Sequence, residues 1–559
     1  MKIKNNVAKL CLKQGASIKE AMRVITQGEE RTCFLVDAHN KLLRVISDGD
    51  IRRALLKGHS LDSSAENIHN AKPFVVTEGQ NMEEARYYLS KRIAVVPIVN
   101  HIGKIKGILR FCDLDNLINI RSRKILVIGM GYIGLTLALV LADLGFTVYA
   151  FDYNRDIINK LKNKKAPFYE NGLEDYLGKH AGNNLRFINS LKGFFADIYI
   201  ICVGTPISKA TLRPKIIYIE NAAREVAMML KKNDLVILRS TVPVGLTRKT
   251  VIPLLERKSK LIAGNDFFLA YCPERTVEGR ALEELRKNPQ IIGGYDQRST
   301  ELASRLFNEN THTVIDVGSL EAAEMCKLLD NTYRDTMFAY SNQIAMFCEK
   351  AGLNMHELIE KVNLLYHRNF IPKPSPGVGG TCLSKDPYIL IQNFREYGLE
   401  PPLLIFARQI NEMAPRLMYK RSNNILSKAG KSLGRGKIFI IGFAFKGEPE
   451  TSDLRESTTV WFLRELQKNK VGNIWGYDPV ISPSELKKLG VRPCSIEAGF
   501  RNADSVFIMN NHHSYKGLRI FRLIETMNLP ALFFDCWRIF VPADMRNIPG
   551  VLYAGIGIG

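Results

Sequence analysis

The sequence predicts an α/β chain in which two doubly wound parallel-sheet domains are joined by a long central helix and preceded by a smaller α+β module. Three observations carry this. Apolar strands breaking into glycine- or hydroxyl-bearing turns recur from residue 124 and again from about residue 436. A helical stretch with a polar stripe separates the two series, and residues 16–114 run twice through one pattern. The 559 residues, 46% of them hydrophobic, supply material for several cores. The expected boundaries are 1–118, 119–315, 316–415 and 416–559.

The N-terminal repeat reads as a short helix, an apolar strand, a second strand and a second helix. Its first pass holds Ser17–Met22, Cys33–Asp37 and the run from Arg44 through Ser47 and Asp50 to Arg53. Its second pass holds Met82–Leu89, Ala94–Val99 and Gly107–Asp113. This resembles a tandem CBS pair. The resemblance implies that Ser47 and Asp50 bond the ribose and phosphate of an adenine nucleotide. The second copy keeps Asp113 but has Arg110 in place of the hydroxyl, so one competent nucleotide site is expected. A repeat that only assists assembly is the alternative.

The next strand, Lys124–Ile128, runs into Gly129-Met130-Gly131-Tyr132-Ile133-Gly134 and an apolar helix. G-x-G-x-x-G alone is a weak signal. Here a second strand, Thr147–Phe151, follows and ends in Asp152, which is the setting a Rossmann-like dinucleotide fingerprint needs. The glycines let a pyrophosphate approach the helix N-terminus, whose free N–H groups and dipole favour anions. Asp152 would bond a ribose 2′-hydroxyl and repel a 2′-phosphate, so NAD is the expected cofactor.

Two further strands deliver Thr205-Pro206 and Ser240-Thr241 to the sheet edge where such folds place ligands. Beyond them, the turn Pro273-Glu274-Arg275-Thr276-Val277-Glu278 presents two carboxylates. From Ser319 to Gly352 the period is helical. Ala322, Cys326, Leu329, Tyr333 and Met337 share one face, and Glu324, Lys327, Asn331, Asp335 and Asn342 share another. Such a polar stripe either faces solvent or walls a site, and a long helix between two domains makes it a candidate substrate wall. The second Rossmann-like unit starts at Lys437–Ile441 with Gly442-Phe443-Ala444-Phe445-Lys446-Gly447. Lacking the full fingerprint, it is expected to hold a nucleotide through Lys446 and Arg455.

Among ten cysteines, Cys382 stands out as a nucleophile. It follows Pro376-Gly377-Val378-Gly379-Gly380-Thr381, a string that strips side chains from around the sulfur, and Asp386 lies four residues on. The ten are dispersed, never closer than about twenty positions, so neither a C-x-x-C nor a zinc spacing exists and no metal is expected. Met1–Lys13 does not read as a signal peptide, and a reducing cytoplasm is the expected compartment. The apolar stretch 125–142 carries three spaced glycines and reads as strand, turn and helix rather than a membrane span. Net charge is +22, but the cations are scattered without basic runs. That favours a phosphorylated small molecule over nucleic acid, and no membrane or nucleic-acid partner is expected.

Residues 123–559 resemble the UDP-glucose/GDP-mannose dehydrogenase family. GMGYIG with Asp152, CVGTP, STVPVG, CPER, the Glu324-Lys327-Asn331 helix, PGVGGTCLSKDP, GFAFK with SDLRES, and GYDP all occur in the family's order. The resemblance implies NAD-dependent oxidation of C6 of a nucleotide sugar from alcohol to acid. It also implies roles: Cys382 as nucleophile, Lys327 and Asn331 holding the C6 oxygen, Asp386 and Thr241 ordering the hydrolytic water, and Glu274 in proton transfer. Glu278, Thr205, Pro206 and Ser240 would line the cofactor cleft, with Arg455 reaching in from the second nucleotide-binding domain. Lys446, Arg275, Gly379, Arg368 and Asn369 would contact the sugar nucleotide, Arg368 across a subunit interface. At least a homodimer is implied, built on the long helix. The Cys loop and the Pro273-Glu274-Arg275 turn are similar to the N-acetylhexosamine branch, although Thr381 stands where that branch often has His. UDP-glucose or GDP-mannose is the alternative substrate. Two rival readings differ in kind: a two-electron dehydrogenase that would not need Cys382, and an inert nucleotide-sensing module.

Overall fold

The structure, a computed structural model, describes residues 7–28, 30, 32–68, 73–77, 95–110 and 120–559. The expected helix Met82–Leu89 and Asp113 lie outside them. The chain folds as two compact units, Met1–Ile120 and Arg121–Gly559.

The first unit repeats one design. Strands Cys11–Lys13, Thr32–Val36 and Leu42–Ser47 form a sheet with a parallel and then an antiparallel pair. Strands Val76–Thr77, Val95–Val99 and Ile105–Arg110 do the same. Even the irregularity recurs, because the register slips between Leu35 and Val36 in one copy and between Ile98 and Val99 in the other. Phe34, Val95 and Ile108 share one apolar cluster, so each half covers the other's open face.

The second unit holds two sheets. The first has eight strands in the order Val314–Asp316, Gln290–Gly294, Phe268–Tyr271, Leu235–Leu238, Ile198–Ile201, Ile125–Ile128, Val148–Phe151, Leu185–Phe187. All neighbours are parallel except Phe268–Tyr271 with Gln290–Gly294. The strands are buried along their length, which is why they read as unbroken apolar runs without alternation. Strand order reverses between Ile125–Ile128 and Ile198–Ile201, opening the ligand crevice at their C-terminal ends. The second sheet is all parallel, in the order Arg492–Pro493, Ile474–Tyr477, Ile438–Ile441, Ser505–Ile508, Ala531–Asp535, Val551–Gly555, and reverses beside Ile438–Ile441.

Between the sheets lies helix Leu320–Ala351, whose 32 residues give a length of about 48 Å. Ser319 caps its start by accepting from Ala322 N at 3.1 Å, and left-handed Gly352 ends it. Helices Asp386–Glu396 and Pro402–Lys428 pack against it. The boundary expected at 415/416 falls inside Pro402–Lys428. Pro415 lacks one donor, yet its ring is buried and packing carries the helix through. No helix among the described residues is long and apolar enough to cross a membrane.

Candidate active site

The fingerprint residues divide into those that pack and those that leave room. A Cβ on Gly134 would sit 1.8 Å from Gly129 O, so that glycine brings helix Tyr132–Asp143 onto the turn. A Cβ on Gly131 would meet nothing within 4 Å, and this open space at the helix N-terminus fits a pyrophosphate. Met130 N donates to Asp152 Oδ2 at 2.7 Å and Asn154 N to Oδ1 at 2.7 Å, fixing a half-buried carboxylate at the crevice. The residues present therefore fit NAD. Tyr132 and Ile133 are half-buried, and Tyr132 stacks on Phe168 at 3.8 Å. Arg455, chelated by Asp453 at 2.7–3.0 Å, lies 5.6 Å from the Tyr132 ring and so reaches the fingerprint from the second nucleotide-binding fold.

In that second fold Asp478 takes the place of Asp152, but the outcome differs. Phe443 N and Ala444 N donate to Asp478 Oδ2, while Val480 N and Ile481 N donate to Oδ1. The carboxylate is buried and saturated by the protein, leaving nothing for a ribose.

The cleft floor gathers residues far apart in sequence. Cys382 is open to solvent, alone in this among the described cysteines. Protein packed around the cleft still desolvates its sulfur, and this is the largest influence raising the thiol above its ordinary value. Lys327 and Lys385 pull it down, and Asp386 and Glu278 push it up. Lys327 and Asn331 project from one face of the long helix. Lys327 Nζ donates to Glu274 O, and Asn331 Nδ2 donates to Asp386 Oδ2 at 2.6 Å. Lys385 Nζ bridges Asp386 Oδ1 at 2.6 Å and Thr205 Oγ1 at 3.2 Å. Thr205 in turn donates to Thr241 O at 2.8 Å, and Ser240 Oγ to Val203 O at 2.6 Å. Pro206 is exposed at the rim.

The polar stripe of the long helix faces inward. Glu324, Lys327, Asn331, Asp335 and Asn342 are buried. Glu324 accepts from Gly245 N at 2.5 Å and Thr247 N at 2.9 Å, fixing the STVPVG turn. Burial pushes its carboxyl up to about 7. The apolar face is turned to solvent instead, with Leu329 50% and Tyr333 64% exposed.

Several of the predicted site residues already have partners within the protein. Glu274 is not a free base. Its carboxylate pairs with Arg239 and accepts from Arg275 N and Thr276 N at 2.7 Å, and although burial opposes it, Arg239 holds the pKa below the usual range. Glu278 is the carboxyl that remains protonatable: burial is the main cause pushing it up to about 7, with Asp453 adding to it and Arg455 and Lys446 opposing. Arg275 points to the outer side of the long helix, bonding Asp330 Oδ2 at 2.7 Å. The loop glycines let the chain pack closely. A Cβ on Gly379 would lie 2.2 Å from Glu456 O, and one on Gly380 would lie 2.8 Å from the Phe445 ring. Lys446 Nζ donates to Glu278 O, joining the two nucleotide-binding folds. Arg368 and Asn369 sit on a loop whose Leu365 and Phe370 are more than 80% exposed. In the first unit Ser47 and Asp50 form a reciprocal capping box on helix Asp48–Leu56, and Asp50 also pairs with Arg53 at 2.6 Å.

Sequence reasoning missed the supports. Arg239, 1% exposed, bonds Glu274, Cys272 O and Gln290 Oε1. Arg408, also 1% exposed, bonds Asp335, Glu412 and Leu383 O, tying the Cys loop to the long helix. The available signal was a guanidinium inside an apolar run, Leu238-Arg239 and Ala407-Arg408.

The UDP-glucose/GDP-mannose dehydrogenase family matches the chain domain by domain: its NAD binding domain at residues 123–311, its central domain at 321–413 and its UDP binding domain at 439–542. The chain belongs to this family. A CBS domain matches residues 65–119. A UDP-N-acetyl-D-mannosamine dehydrogenase of Pyrococcus horikoshii is 33% identical over 446 residues, 78% of this chain and 99% of the relative. An NDP-N-acetyl-D-galactosaminuronic acid dehydrogenase of Ralstonia solanacearum is 32% identical over 416 residues, 73% and 96% of the two. Among solved structures, the P. horikoshii UDP-D-ManNAc dehydrogenase superposes with a TM-score of 0.71 at 32% identity, covering 78% of this chain and 99% of its own. The Staphylococcus aureus UDP-N-acetyl-mannosamine dehydrogenase does so with 0.67 at 28%, covering 78% and 98%. This member of the UDP-glucose/GDP-mannose dehydrogenase family is an NAD-dependent nucleotide-sugar dehydrogenase carrying an additional CBS module.

Proposed function

We propose that this dehydrogenase oxidises C6 of a UDP-N-acetylhexosamine, UDP-N-acetylmannosamine or UDP-N-acetylglucosamine, to the uronic acid in two steps at one site. The observation that carries this reading is the solvent-open Cys382 beside Lys327 and the Asn331–Asp386 pair. The names of the relatives support the N-acetylated sugar.

The fingerprint turn and Asp152 would hold NAD, which would supply the hydride acceptor for each of the two oxidations. Lys327 and Asn331 hold the C6 oxygen and stabilise negative charge developing there. At the aldehyde stage the Cys382 sulfur adds to C6 and its proton passes to the C6 oxygen, giving a thiohemiacetal whose oxidation leaves a thioester. Water, ordered by Asp386 and Thr241, then attacks the thioester carbon, the C–S bond breaks, and the thiol is restored. In this reading Glu278 takes the water's proton, because a carboxyl near about 7 can both accept and return it. Glu274, locked to Arg239, positions the floor: its backbone oxygen holds Lys327.

The test is to count NADH per sugar with each candidate UDP-sugar in limiting amount. Two per sugar is expected for the substrate. One per sugar makes the chain a two-electron enzyme, and none with any sugar favours the inert module.

The exposed face of the long helix carries Leu329, Tyr333, Tyr340 and Phe347 at one angular position, with Leu403 and Phe406 also exposed on helix Pro402–Lys428. A second copy covering that face makes the protein a homodimer or a higher homo-oligomer, and Tyr333→Glu is expected to shift sedimentation toward the monomer. An adenine nucleotide at Ser47 and Asp50 would regulate the enzyme, competing with Arg53 for Asp50 Oδ1. ATP or AMP that leaves kinetics and oligomer size unchanged rules that out.

A further inference from the structure

At the seam between the NAD-binding and UDP-binding folds, Glu450, His512 and His513 bring their donor atoms within 4.8 Å of one another. We propose that these three side chains bind a divalent transition-metal ion of the zinc class. His512 is buried, and its Nε2 lies 2.8 Å from Glu450 Oε2. His513 is exposed and stacks on His512 at 4.4 Å, so the two imidazoles present neighbouring nitrogens. Tyr169 from the other fold bonds the second carboxylate oxygen, Glu450 Oε1.

A plain His–carboxylate hydrogen bond explains His512 and Glu450, but it does not account for a third ligand or for the space beside them. Glu450 and His513 line a cavity of about 310 Å³ into which Glu170, Asn171, Glu283 and Glu448 also open. Two imidazoles and a carboxylate with room for water are a donor set suited to Zn²⁺, Co²⁺ or Ni²⁺ rather than Mg²⁺ or Ca²⁺. Binding replaces the hydrogen bond between His512 Nε2 and Glu450 Oε2 with bonds from both atoms to the cation, and the single proton of the neutral ring moves from Nε2 to Nδ1. Nδ1–H then donates to Ser514 Oγ at 2.8 Å, the outer contact that orients a metal-bound histidine. Ser514 N, 3.2 Å from Nδ1, serves the metal-free tautomer.

The ion would brace the loop that borders the cleft. Ser452 Oγ accepts from Tyr169 N at 3.0 Å, Thr451 Oγ1 lies 3.4 Å from Glu278 Oε2, and a Cβ on Gly279 would meet Glu450 O at 2.5 Å. Holding Glu450 therefore holds the turn that carries Glu278.

Full-length protein stripped with a chelator and titrated calorimetrically with ZnCl₂ should take up about one equivalent per chain. Co²⁺ in its place should give visible absorption bands. His513→Ala, a surface change outside the catalytic cleft, should weaken Zn²⁺ binding at least about tenfold and abolish those bands, and Glu450→Gln should do the same. No uptake by the wild type overturns the proposal. So does undiminished uptake by His513→Ala, which would put the ion elsewhere, for instance on Cys382. If Glu450→Gln unfolds, His513→Ala alone decides.

Discussion

Asn331 on the long helix donates its amide to the buried carboxylate of Asp386, 2.6 Å away on the helix that follows the Cys loop. This bond and the Lys385 contact give the Asp386 carboxylate partners in a place where an unpaired one is costly. It also sets the thiol-bearing turn against the wall that would hold the substrate oxygen.

Asn331→Leu is expected to keep the fold but lower kcat by about 10²–10³, the loss typical of removing one aimed donor. Cys382→Ser should halt at the aldehyde stage with at most one NADH per sugar. Single-turnover NADH yield and product analysis check both, and a Cys382→Ser variant that still makes the acid would remove the thiol from the mechanism.

Gly379→Ala tests the packing of the Cys loop. Its new Cβ would lie 2.2 Å from a backbone oxygen, so the loop must move. A shift of about 1 Å at Cys382 is expected to cost roughly 100-fold in kcat with circular dichroism unchanged.

Arg408→Met strands Asp335, which is 1% exposed and accepts from Arg408 Nη1 at 2.7 Å. Breaking such a buried pair from one side costs about 3–5 kcal/mol. Calorimetry should show a lower melting temperature for the catalytic unit, partly restored when Asp335 is also made Leu.

Glu278 makes stability fall as pH rises. Its carboxyl ionises near 4.5 as a free group and near about 7 in the fold, so between those values the native state binds more protons than the unfolded state. Its protonated form is fully favourable below 4.5, and that contribution is lost as pH passes through 7. Glu278→Gln should therefore gain melting temperature on the wild type between pH 5 and 8. A constant difference across that range would show that the fold does not raise this pKa.

Much of this molecule is written locally. The fingerprint strand, its turn and Asp152 were legible because each residue's neighbours in sequence are its neighbours in space, and so was the repeated order of elements in the CBS module. The Cys382 turn could be read for the same reason, since a nucleophile and its carboxylate lie within one helical turn.

What the sequence by itself determined was the set of elements, the cofactor and the candidate nucleophile. Only the tertiary structure decided what each charge does. Glu274 reads as a base until Arg239, from a different strand, claims its carboxylate, and Glu278 becomes protonatable because Asp453 and burial arrive from the second fold. The long helix carries a polar and an apolar face, and periodicity cannot say which is inside. Packing turned the polar face inward, because Asp386, Arg408 and the backbone of two turns supply partners that offset its desolvation.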